Sequence, residues 1–210
     1  NEDWSPHVVP NLPKPSGVSF SDATALLASS QQTVMVVGGG CQRASTEVTK
    51  LAELLNVGVI ASNAGKGVIS DENPLSLGGG IISPAIQDYL AKADVVLAIG
   101  TELGEADSFI YDLPINGKVI RIDIDSARFS DAFPADVAIY GDARAACTKL
   151  IEALESLEVV TASLDAVSVL NSVREQQTSD YTEVERQHIK LLDILRDELP
   201  DDGIIFGDIA

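Results

Sequence analysis

The sequence predicts an α/β protein: a doubly wound, Rossmann-like sheet of about six mostly parallel strands with helices on both faces. The clearest signals are residues 93–102 and 118–125, two short apolar runs that end in small or acidic residues. Such runs are typical of strands that are buried on both faces of a parallel sheet, with ligand-facing groups at their carboxyl ends. The third observation is that similar runs alternate with helical stripes over residues 21–157, as they do in parallel βαβ units.

Each predicted strand is a short run of apolar or β-branched residues between turn residues. In chain order, these runs are residues 33–37, 58–61, 75–77, 95–99, 119–124 and 137–140. The third run is the shortest, and the three glycines at 78–80 end it.

The predicted helices end at about Ser30, run over about residues 42–56 and 84–92, and follow Asp142 after the last strand. Ser21 or Asp22 can cap the first helix, and Asp142 can cap the fourth. Ser83 followed by Pro84 is typical of an N-cap and a first helical residue. The second and fourth helices have apolar stripes, formed by Val48, Leu51, Ala52 and Leu55 and by Ala146, Cys147, Leu150, Ile151 and Leu154.

Residues on either side of the alternating pattern are predicted to connect to other domains. Residues 1–20 contain four prolines, which indicates an extended interdomain arm. Residues 158–200 are polar, and helical spacing at 164–176 and 182–199 predicts a helical linker. Residues 201–210 include an apolar run that we interpret as the first strand of a truncated further domain, because a strand does not stay unpaired in a buried sheet.

Composition excludes several functional classes. The net charge is −18, which argues against binding to nucleic acid or to an anionic membrane surface. No run approaches the roughly 18 apolar residues that a membrane span needs. Cys41 and Cys147 are the only cysteines, and we expect them to be reduced, structural residues of a cytoplasmic protein. The two histidines, His7 and His188, do not form a Cys/His cluster with metal-ligand spacing.

The first candidate site is the turn after the first strand, formed by Gly38, Gly39, Gly40 and Cys41. Its backbone N–H groups and the helix that follows could hold a phosphate, or the glycines could serve only a tight strand-to-helix turn. Arg43 occupies the position of the third glycine in the dinucleotide fingerprint, and no acid ends the second strand. A nicotinamide cofactor is therefore not predicted.

The second candidate site is a series of acids at the ends of later strands, with Glu102 after one strand and Asp123 and Asp125 after the next. An acid there can accept hydrogen bonds from ribose hydroxyls. Asp123 and Asp125 are two residues apart, so we expect their side chains on one face of the strand. Nucleotide binding, acid/base catalysis and capping or turn roles all stay open. Because no nucleophile or base partner is evident, no catalytic residue is assigned.

In chain order, these elements resemble the central domain of thiamine-diphosphate-dependent enzymes of the acetolactate synthase, pyruvate oxidase and benzoylformate decarboxylase type. The resemblance covers about residues 20–156 and is carried by the ordered segments 36–40, 65–67, 73–80, 93–101, 122–125 and 141–142. The proline-rich arm looks like the exit from that family's pyrimidine-binding domain. Residues 199–208 look like the start of its diphosphate-binding domain.

The resemblance implies a multi-domain parent enzyme that decarboxylates a small 2-oxo acid, then protonates the product or transfers the acyl-anion equivalent. It also implies thiamine diphosphate, activated by a glutamate of the pyrimidine domain, and Mg2+ held by a Gly-Asp-Gly…Asn motif of the last domain. Because both sites lie outside these residues, this segment is expected to be non-catalytic by itself. Its expected partners are those two domains of the same polypeptide, in a homodimer or homotetramer.

Some relatives carry FAD or ADP on the central domain. The matching positions here are Gly38, Gly39, Gly40, Cys41, Gly100, Thr101, Glu102, Asp123, Ile124, Asp125, Gly141 and Asp142. Flavin-binding relatives have an arginine after the fourth strand, where this chain has Glu102 and Glu105. Carboxylates there would repel a pyrophosphate, because like charges about 4 Å apart repel by roughly 4 kcal/mol at an effective dielectric of 20. FAD or ADP is therefore possible but not favoured.

The alternative to this family is a stand-alone FAD or nucleotide-binding module of the electron-transfer-flavoprotein or sirtuin-like type. The flavoprotein type needs basic residues around the pyrophosphate, which are scarce in the matching segments. The sirtuin-like type needs a catalytic histidine and a zinc-binding cysteine set, and the sequence has neither.

Overall fold

The computed structural model describes residues 18–110, 112–157, 165–200 and 203–205. A parallel sheet of five strands forms its centre, in the order β2-β1-β3-β4-β5. The strands are β1 Thr33–Val37, β2 Gly58–Ala61, β3 Val95–Ile99, β4 Lys118–Asp123 and β5 Val137–Tyr140. The predicted α/β fold with a parallel sheet is therefore confirmed, and four of these strands have the predicted bounds.

The sheet is most deeply buried at its centre. Every residue of β1 and β3 is buried, as their continuous apolar sequences predict for strands covered on both faces. They pair in register, with Thr33 opposite Val95 and Val37 opposite Ile99. β5 lies at the edge of the sheet and is correspondingly half-exposed.

The predicted strand at residues 75–77 is not a strand of the sheet. Ser76 forms only an isolated parallel bridge with Val59, beside β2. Ala61 N–H also donates to Gly78 O, at 2.8 Å. Pairing ends there because Gly78 has a φ of 62°, which turns the chain away from the sheet edge. This short edge contact accounts for the difference between five strands and about six.

The helices of the described residues are α1 Val18–Ser29, α2 Ser45–Leu55, α3 Pro84–Ala91, α4 Glu105–Ser108, α5 Ala143–Ser156, α6 Ala166–Asp180 and α7 Glu183–Glu198. α1 and α2 both pack against α5, whereas α3 packs against α6. The two groups lie on opposite faces of the sheet because βαβ crossovers are right-handed. The chain crosses the sheet in one direction from β1 to β2 and in the opposite direction from β2 to β3, so α2 and α3 cover different faces.

Several helix boundaries differ from the predicted ones. α1 already includes Val18, so neither Ser21 nor Asp22 caps it, and residues 18–20 are helical rather than part of an extended arm. α2 begins only at Ser45, because the glycine turn first forms a short 3₁₀ helix. β4 runs from Lys118 to Asp123, one residue earlier at each end than predicted.

The predicted caps are mostly in place. Asp142 is the N-cap of α5, and its carboxylate accepts a hydrogen bond from Ala145 N–H at 3.1 Å. Ser83 is the N-cap of α3, with Pro84 as the first helical residue, but its hydroxyl makes no capping hydrogen bond.

The chain continues beyond the sheet as α6 and α7. α6 buries Leu170 fully, whereas no residue of α7 is buried. Residues 203–205 have no regular secondary structure, and the rest of the predicted strand at 203–207 lies outside the described residues, as do residues 1–17 of the arm. No described helix is both long and apolar enough to cross a membrane.

Candidate functional site

A cleft of about 380 Å³ opens at the carboxyl edge of the sheet. Strand order reverses between β1 and β3, and ligand-binding crevices of open α/β sheets lie at such reversals. The cleft is lined by the loops after β1, β3, β4 and β5, with residues Gly39, Gly40, Gln42, Arg43, Gly100, Thr101, Glu102, Ile122, Asp123, Ile124, Asp125, Arg128, Gly141, Asp142 and Ala143.

The sequence-derived positions converge on this cleft. All of the twelve candidates except Gly38 and Cys41 line it. Gly38 is buried behind the turn, and Cys41 is fully buried in the core. The tertiary structure therefore brings together four segments that are far apart in the sequence.

The backbone donors of the glycine turn are bonded to backbone oxygens of the turn itself and of the end of β3 and its loop. Gly38 N–H donates to Ile99 O at 3.0 Å, Gly40 N–H to Gly100 O at 3.1 Å, and Cys41 N–H to Gly38 O at 3.0 Å. A Cβ on Gly38 would lie 2.2 Å from Gly100 O, so the two loops touch through bare backbone. Close packing therefore explains the glycines, and few N–H groups are left for a phosphate.

The two cysteines are unpaired and buried. Cys41 Sγ donates to Ile99 O at 3.1 Å. Burial raises the pKa of the Cys41 thiol to about 12 and raises the pKa of Cys147 as well. Since the thiolate is the reactive form, both side chains act as apolar core groups rather than nucleophiles.

Asp123 and Asp125 do not share a strand face. β4 ends at Asp123, and Asp125 lies beyond it as the N-cap of a 3₁₀ turn, Ser126–Ser130. Asp125 N–H donates to Asp123 Oδ1 at 2.8 Å, and Ala127 N–H donates to Asp125 Oδ1 at 3.0 Å. The two carboxylates therefore organise the turn that forms one wall of the cleft.

The environments of these acids shift their pKa values in opposite directions. Burial raises the pKa of Asp123, against the opposing effects of Asp125 N–H and the positive charge of Arg121. The hydrogen bond from Ala127 N–H, followed by that from Arg128, lowers the pKa of Asp125. Asp125 is therefore the carboxylate whose ionised form the turn stabilises.

Arg128 is the main site residue that the sequence analysis missed. Its Nε lies 3.1 Å from Asp125 Oδ2 and one terminal nitrogen lies 2.7 Å from Asp131 Oδ2, while Glu102 Oε1 is 3.9 Å away. The available signal was the spacing of Asp125, Arg128 and Asp131, which are three residues apart and therefore adjacent in a 3₁₀ turn. Three carboxylates thus surround the Arg128 guanidinium.

The charges of the cleft favour cations over anions. Arg43 and Arg128 face Glu102, Asp123, Asp125 and Asp142 among the lining residues. Arg128 is already paired, which leaves Arg43 as the cation of the lining without an ion-pair partner among the described residues. The donors and charges therefore do not fit a pyrophosphate, although the acids could accept hydrogen bonds from sugar hydroxyls.

Arg121 supports the cleft from inside the sheet. It lies in β4 and is 1% exposed. Its guanidinium donates to Thr101 O at 2.7 Å and to Phe133 O at 3.0 Å. Arg121 therefore connects the loop after β3, which carries Thr101 and Glu102, to the loop that precedes β5.

The described residues do not contain a group of three or more His, Cys, Asp or Glu side chains able to hold a metal ion.

Comparisons with known proteins give a consistent result. A family profile described as the thiamine pyrophosphate enzyme central domain matches residues 20–150. A protein of Pseudomonas aeruginosa described as a probable 2-ketoarginine decarboxylase is 30% identical over 210 residues, which are 99% of this chain and 37% of that protein. The acetolactate synthase of Mycobacterium bovis is 32% identical over 187 residues, covering 84% of this chain and 29% of that protein.

A solved structure supports the fold. An enzyme of Mycobacterium smegmatis, described as thiamin diphosphate-dependent, superposes with a TM-score of 0.60 at 21% identity. The match covers 75% of this chain and 30% of that one. This chain therefore spans about a third of the length of the relatives it matches.

Proposed function

This chain belongs to the thiamine pyrophosphate enzymes and contains their central domain, and from that premise we propose that it is the non-catalytic scaffold of a 2-oxo acid decarboxylase. The observation that carries the proposal is the similarity of nearly the whole chain to a protein described as a 2-ketoarginine decarboxylase. The alternative of a stand-alone flavin or sirtuin-like module has no support from these comparisons.

The parent enzyme consists of this domain together with the pyrimidine- and diphosphate-binding domains of the same polypeptide. Thiamine diphosphate supplies an electron sink for loss of the carboxylate. In this proposal, the cofactor and Mg2+ are held by the two other domains. The enzyme is a cytoplasmic homodimer or homotetramer in this proposal.

The chain's own contribution is a rigid sheet edge whose cleft does not require a resident nucleotide. The loops after β1 and β3 are joined by backbone contacts between Gly38, Gly40 and Gly100. Arg121 and Arg128 join the loops after β3 and β4 through hydrogen bonds and ion pairs. These contacts are all made between residues of the chain itself.

Acyl transfer of the acetolactate synthase type is the second candidate reaction, since relatives with that description match 84% of the chain. The extent of the match to the decarboxylase, 99% of the chain, favours simple decarboxylation. The products distinguish the two reactions: decarboxylation followed by protonation releases an aldehyde, whereas acyl transfer forms a longer hydroxy-oxo acid.

The experiment is an activity assay on the full-length polypeptide with thiamine diphosphate and Mg2+. Release of CO₂ from 2-ketoarginine and from pyruvate is measured, products are identified by mass spectrometry, and the purified protein is inspected for flavin absorbance. We expect cofactor-dependent aldehyde formation without bound flavin, and no activity from the 210-residue chain. A full-length protein that decarboxylates none of a broad set of 2-oxo acids would overturn the proposal.

A further inference from the structure

Asn116 and Gly117 lie directly before β4 and are the one asparagine–glycine pair of the sequence. Asn116 is exposed to solvent and Gly117 is half-buried. The side-chain amide of an asparagine reacts with the backbone nitrogen of the next residue, and glycine hinders that attack least because it has no Cβ. By its sequence alone, this pair is therefore the position most prone to loss of an asparagine amide.

Packing forces a glycine at position 117. A Cβ there would lie 2.4 Å from Ala93 O and 2.5 Å from Asp94 O, so any other residue would push two backbone segments apart. Lys118 N–H donates to Asp94 O at 2.8 Å and holds these segments in contact. The fold thus requires the glycine, and the glycine leaves the neighbouring amide without steric protection.

The backbone nitrogen of Gly117 is available for the attack. Among the hydrogen bonds of the described residues, none has the Gly117 N–H as its donor. In contrast, the N–H of Val57, which follows Asn56, donates to Ala52 O at 3.1 Å. Attack by the Gly117 nitrogen therefore breaks no hydrogen bond of that N–H group within the described part of the chain.

The other asparagines of the described residues are less favourably placed. Asn73 is followed by Pro74, which has no N–H to lose. Asn171 lies inside α6, where the next N–H belongs to the helical hydrogen-bond ladder. Asn63 is followed by an alanine, whose methyl group hinders the approach. Asn116 is thus the asparagine that combines exposure with an unhindered neighbour.

The Asn116 amide joins two elements of the fold. Its Nδ2 donates to the backbone oxygen of Ala91, the last residue of α3, at 2.9 Å. Carbonyl oxygens at the C-terminus of a helix carry partial negative charge, so they accept from an amide and repel a carboxylate. Conversion of this amide to an acid would therefore remove the hydrogen bond that ties α3 to the start of β4.

We propose that Asn116 is a site of spontaneous deamidation, which loosens the junction between α3 and β4 as the protein ages. The Gly117 nitrogen forms a bond to the side-chain carbonyl carbon of Asn116, the bond from that carbon to Nδ2 breaks, and ammonia leaves with the proton of the Gly117 N–H. Water then opens the cyclic imide at either carbonyl group, which yields aspartate or isoaspartate. Water is the only co-reactant, and the inference does not depend on the proposed function.

Isoaspartate changes the main chain as well as the charge. The peptide bond to Gly117 then runs through the former side chain, which adds a carbon atom to the backbone. Because backbone contacts hold Gly117 against Ala93 and Asp94, the longer chain does not fit without movement of these segments. The product also carries a free α-carboxylate, the group that isoaspartate-specific methyltransferases modify, so an enzyme of that class would recognise the aged protein.

Ageing of the folded, full-length polypeptide tests the proposal. After incubation at mildly alkaline pH, peptide mapping by mass spectrometry measures the loss of the amide at each asparagine. We expect conversion of Asn116 to be about tenfold faster than that of Asn63 or Asn171, because only Asn116 precedes a residue without a Cβ. Asn116→Gln should abolish conversion at this position, since the longer side chain has to form a larger ring. Asn171→Gln is the matched control and should leave conversion of Asn116 unchanged.

Two further measurements follow the product and its effect. An isoaspartate-specific methyltransferase with a labelled methyl donor should label the peptide that contains residue 116 in the aged wild type. The Tm of the aged wild type should be a few degrees lower than that of fresh protein, whereas Asn116→Gln should keep its Tm on ageing apart from changes shared with the wild type at other sites.

Equal rates of conversion at Asn116 and Asn171 would overturn the proposal. Conversion of Asn116 only after unfolding in urea would overturn it too, because the folded junction would then protect the amide. If Asn116 converts fully in the folded protein without any decrease in Tm, the modification site stands but the loosening of the junction is refuted.

Discussion

The buried guanidinium of Arg121 donates a hydrogen bond to the backbone oxygen of Thr101 at 2.7 Å. A second bond, to Phe133 O, completes its link between two loops at the carboxyl edge of the sheet. A charged side chain in this position is stable only because backbone oxygens replace the water that it lost.

Replacing Arg121 with Met should destabilise the protein by about 3 kcal/mol, since hydrogen bonds from charged donors contribute about 1.5–3 kcal/mol and two carbonyl oxygens lose their partner. Urea denaturation measures the free energy of unfolding. Lys118→Met is the control on the same strand; it removes an exposed ion pair with Asp136 and should cost less than about 1 kcal/mol. Equal stability of the Arg121 variant and the wild type would contradict this prediction.

Gly38→Ala should cost about 3 kcal/mol, because the new Cβ would lie 2.2 Å from Gly100 O and 2.7 Å from Thr101 Cα, so backbone has to move. Gly104→Ala is the matched control. Nothing lies within 4 Å of a Cβ there and the backbone is extended, so the substitution should be neutral or stabilise by up to about 1 kcal/mol. Thermal unfolding should therefore show a much larger decrease in Tm for Gly38→Ala than for Gly104→Ala. Comparable changes in Tm would count against close contact between the loops after β1 and β3.

Asp94 should make stability depend on acid pH. Partial burial acts to raise its pKa, but hydrogen bonds from Ser30 and from the N–H groups of Gln31 and Gln32 outweigh that effect and lower it. A lowered folded-state pKa gives stability that is present above the unfolded value of about 3.9 and is lost as the pH falls through the folded value.

The measurement compares the wild type with Asp94→Asn from neutral pH to below about pH 4. The free energy of unfolding of the wild type should exceed that of Asp94→Asn most near neutral pH, and this difference should become smaller in acid. Asp193→Asn, at an exposed position of α7, is the control for the loss of one negative charge. A difference that stays constant with pH would show that the carboxylate charge does not matter.

Glu102→Gln should raise the affinity of the cleft for ADP by about three- to tenfold, because it removes a negative charge beside Arg128 at a solvent-screened position. Isothermal titration with ADP measures the change. Glu175→Gln on α6, remote from the cleft, removes the same charge and should have no effect. If both variants bind ADP as weakly as the wild type, the acids of the cleft are not what disfavours a pyrophosphate.

Added salt should stabilise this protein. The net charge of −18 opposes a compact state, and at 1 M salt the screening length falls to about 3 Å. We expect Tm to rise by about 5 °C between 0.05 M and 1 M KCl in differential scanning calorimetry, because charge repulsion of about 1 kcal/mol shifts Tm by a few degrees.

The control for the salt effect is a charge-reduced variant with amides at three exposed acids, Asp22, Glu152 and Glu175. Its Tm should depend less steeply on KCl than that of the wild type. A Tm that is independent of KCl in the wild type would show that charge repulsion does not limit stability.

Much of the fold could be predicted because its signals are local. β1 and β3 have the predicted bounds since short, mostly apolar runs between turn residues are typical of strands covered on both faces. Asp142 could be identified as a cap because an acid before a helical stripe satisfies an N–H group within the next turn. The prediction of a sheet strand at 75–77 was wrong because the backbone of Gly78 turns the chain away from the sheet edge and ends the pairing.

The sequence predicted that the candidate positions would gather at one edge of the sheet, but not how their charged side chains are paired. The carboxyl ends of parallel strands meet at one edge, so Gly40, Glu102 and Asp123 were expected near each other. The engagement of Arg128 by three carboxylates could not be predicted, because it requires the loop after β3 to approach the turn after β4.

The sequence by itself determined the α/β class, most of the strands and the family, because apolar periodicity, caps and ordered motifs are properties of neighbouring residues. Only the tertiary structure decided that the glycine N–H groups bond to the end of β3 and its loop, and that Arg121 is buried against two carbonyl oxygens. The physical reason is that burial and pairing depend on which distant segments come into contact, and a local pattern does not specify those contacts.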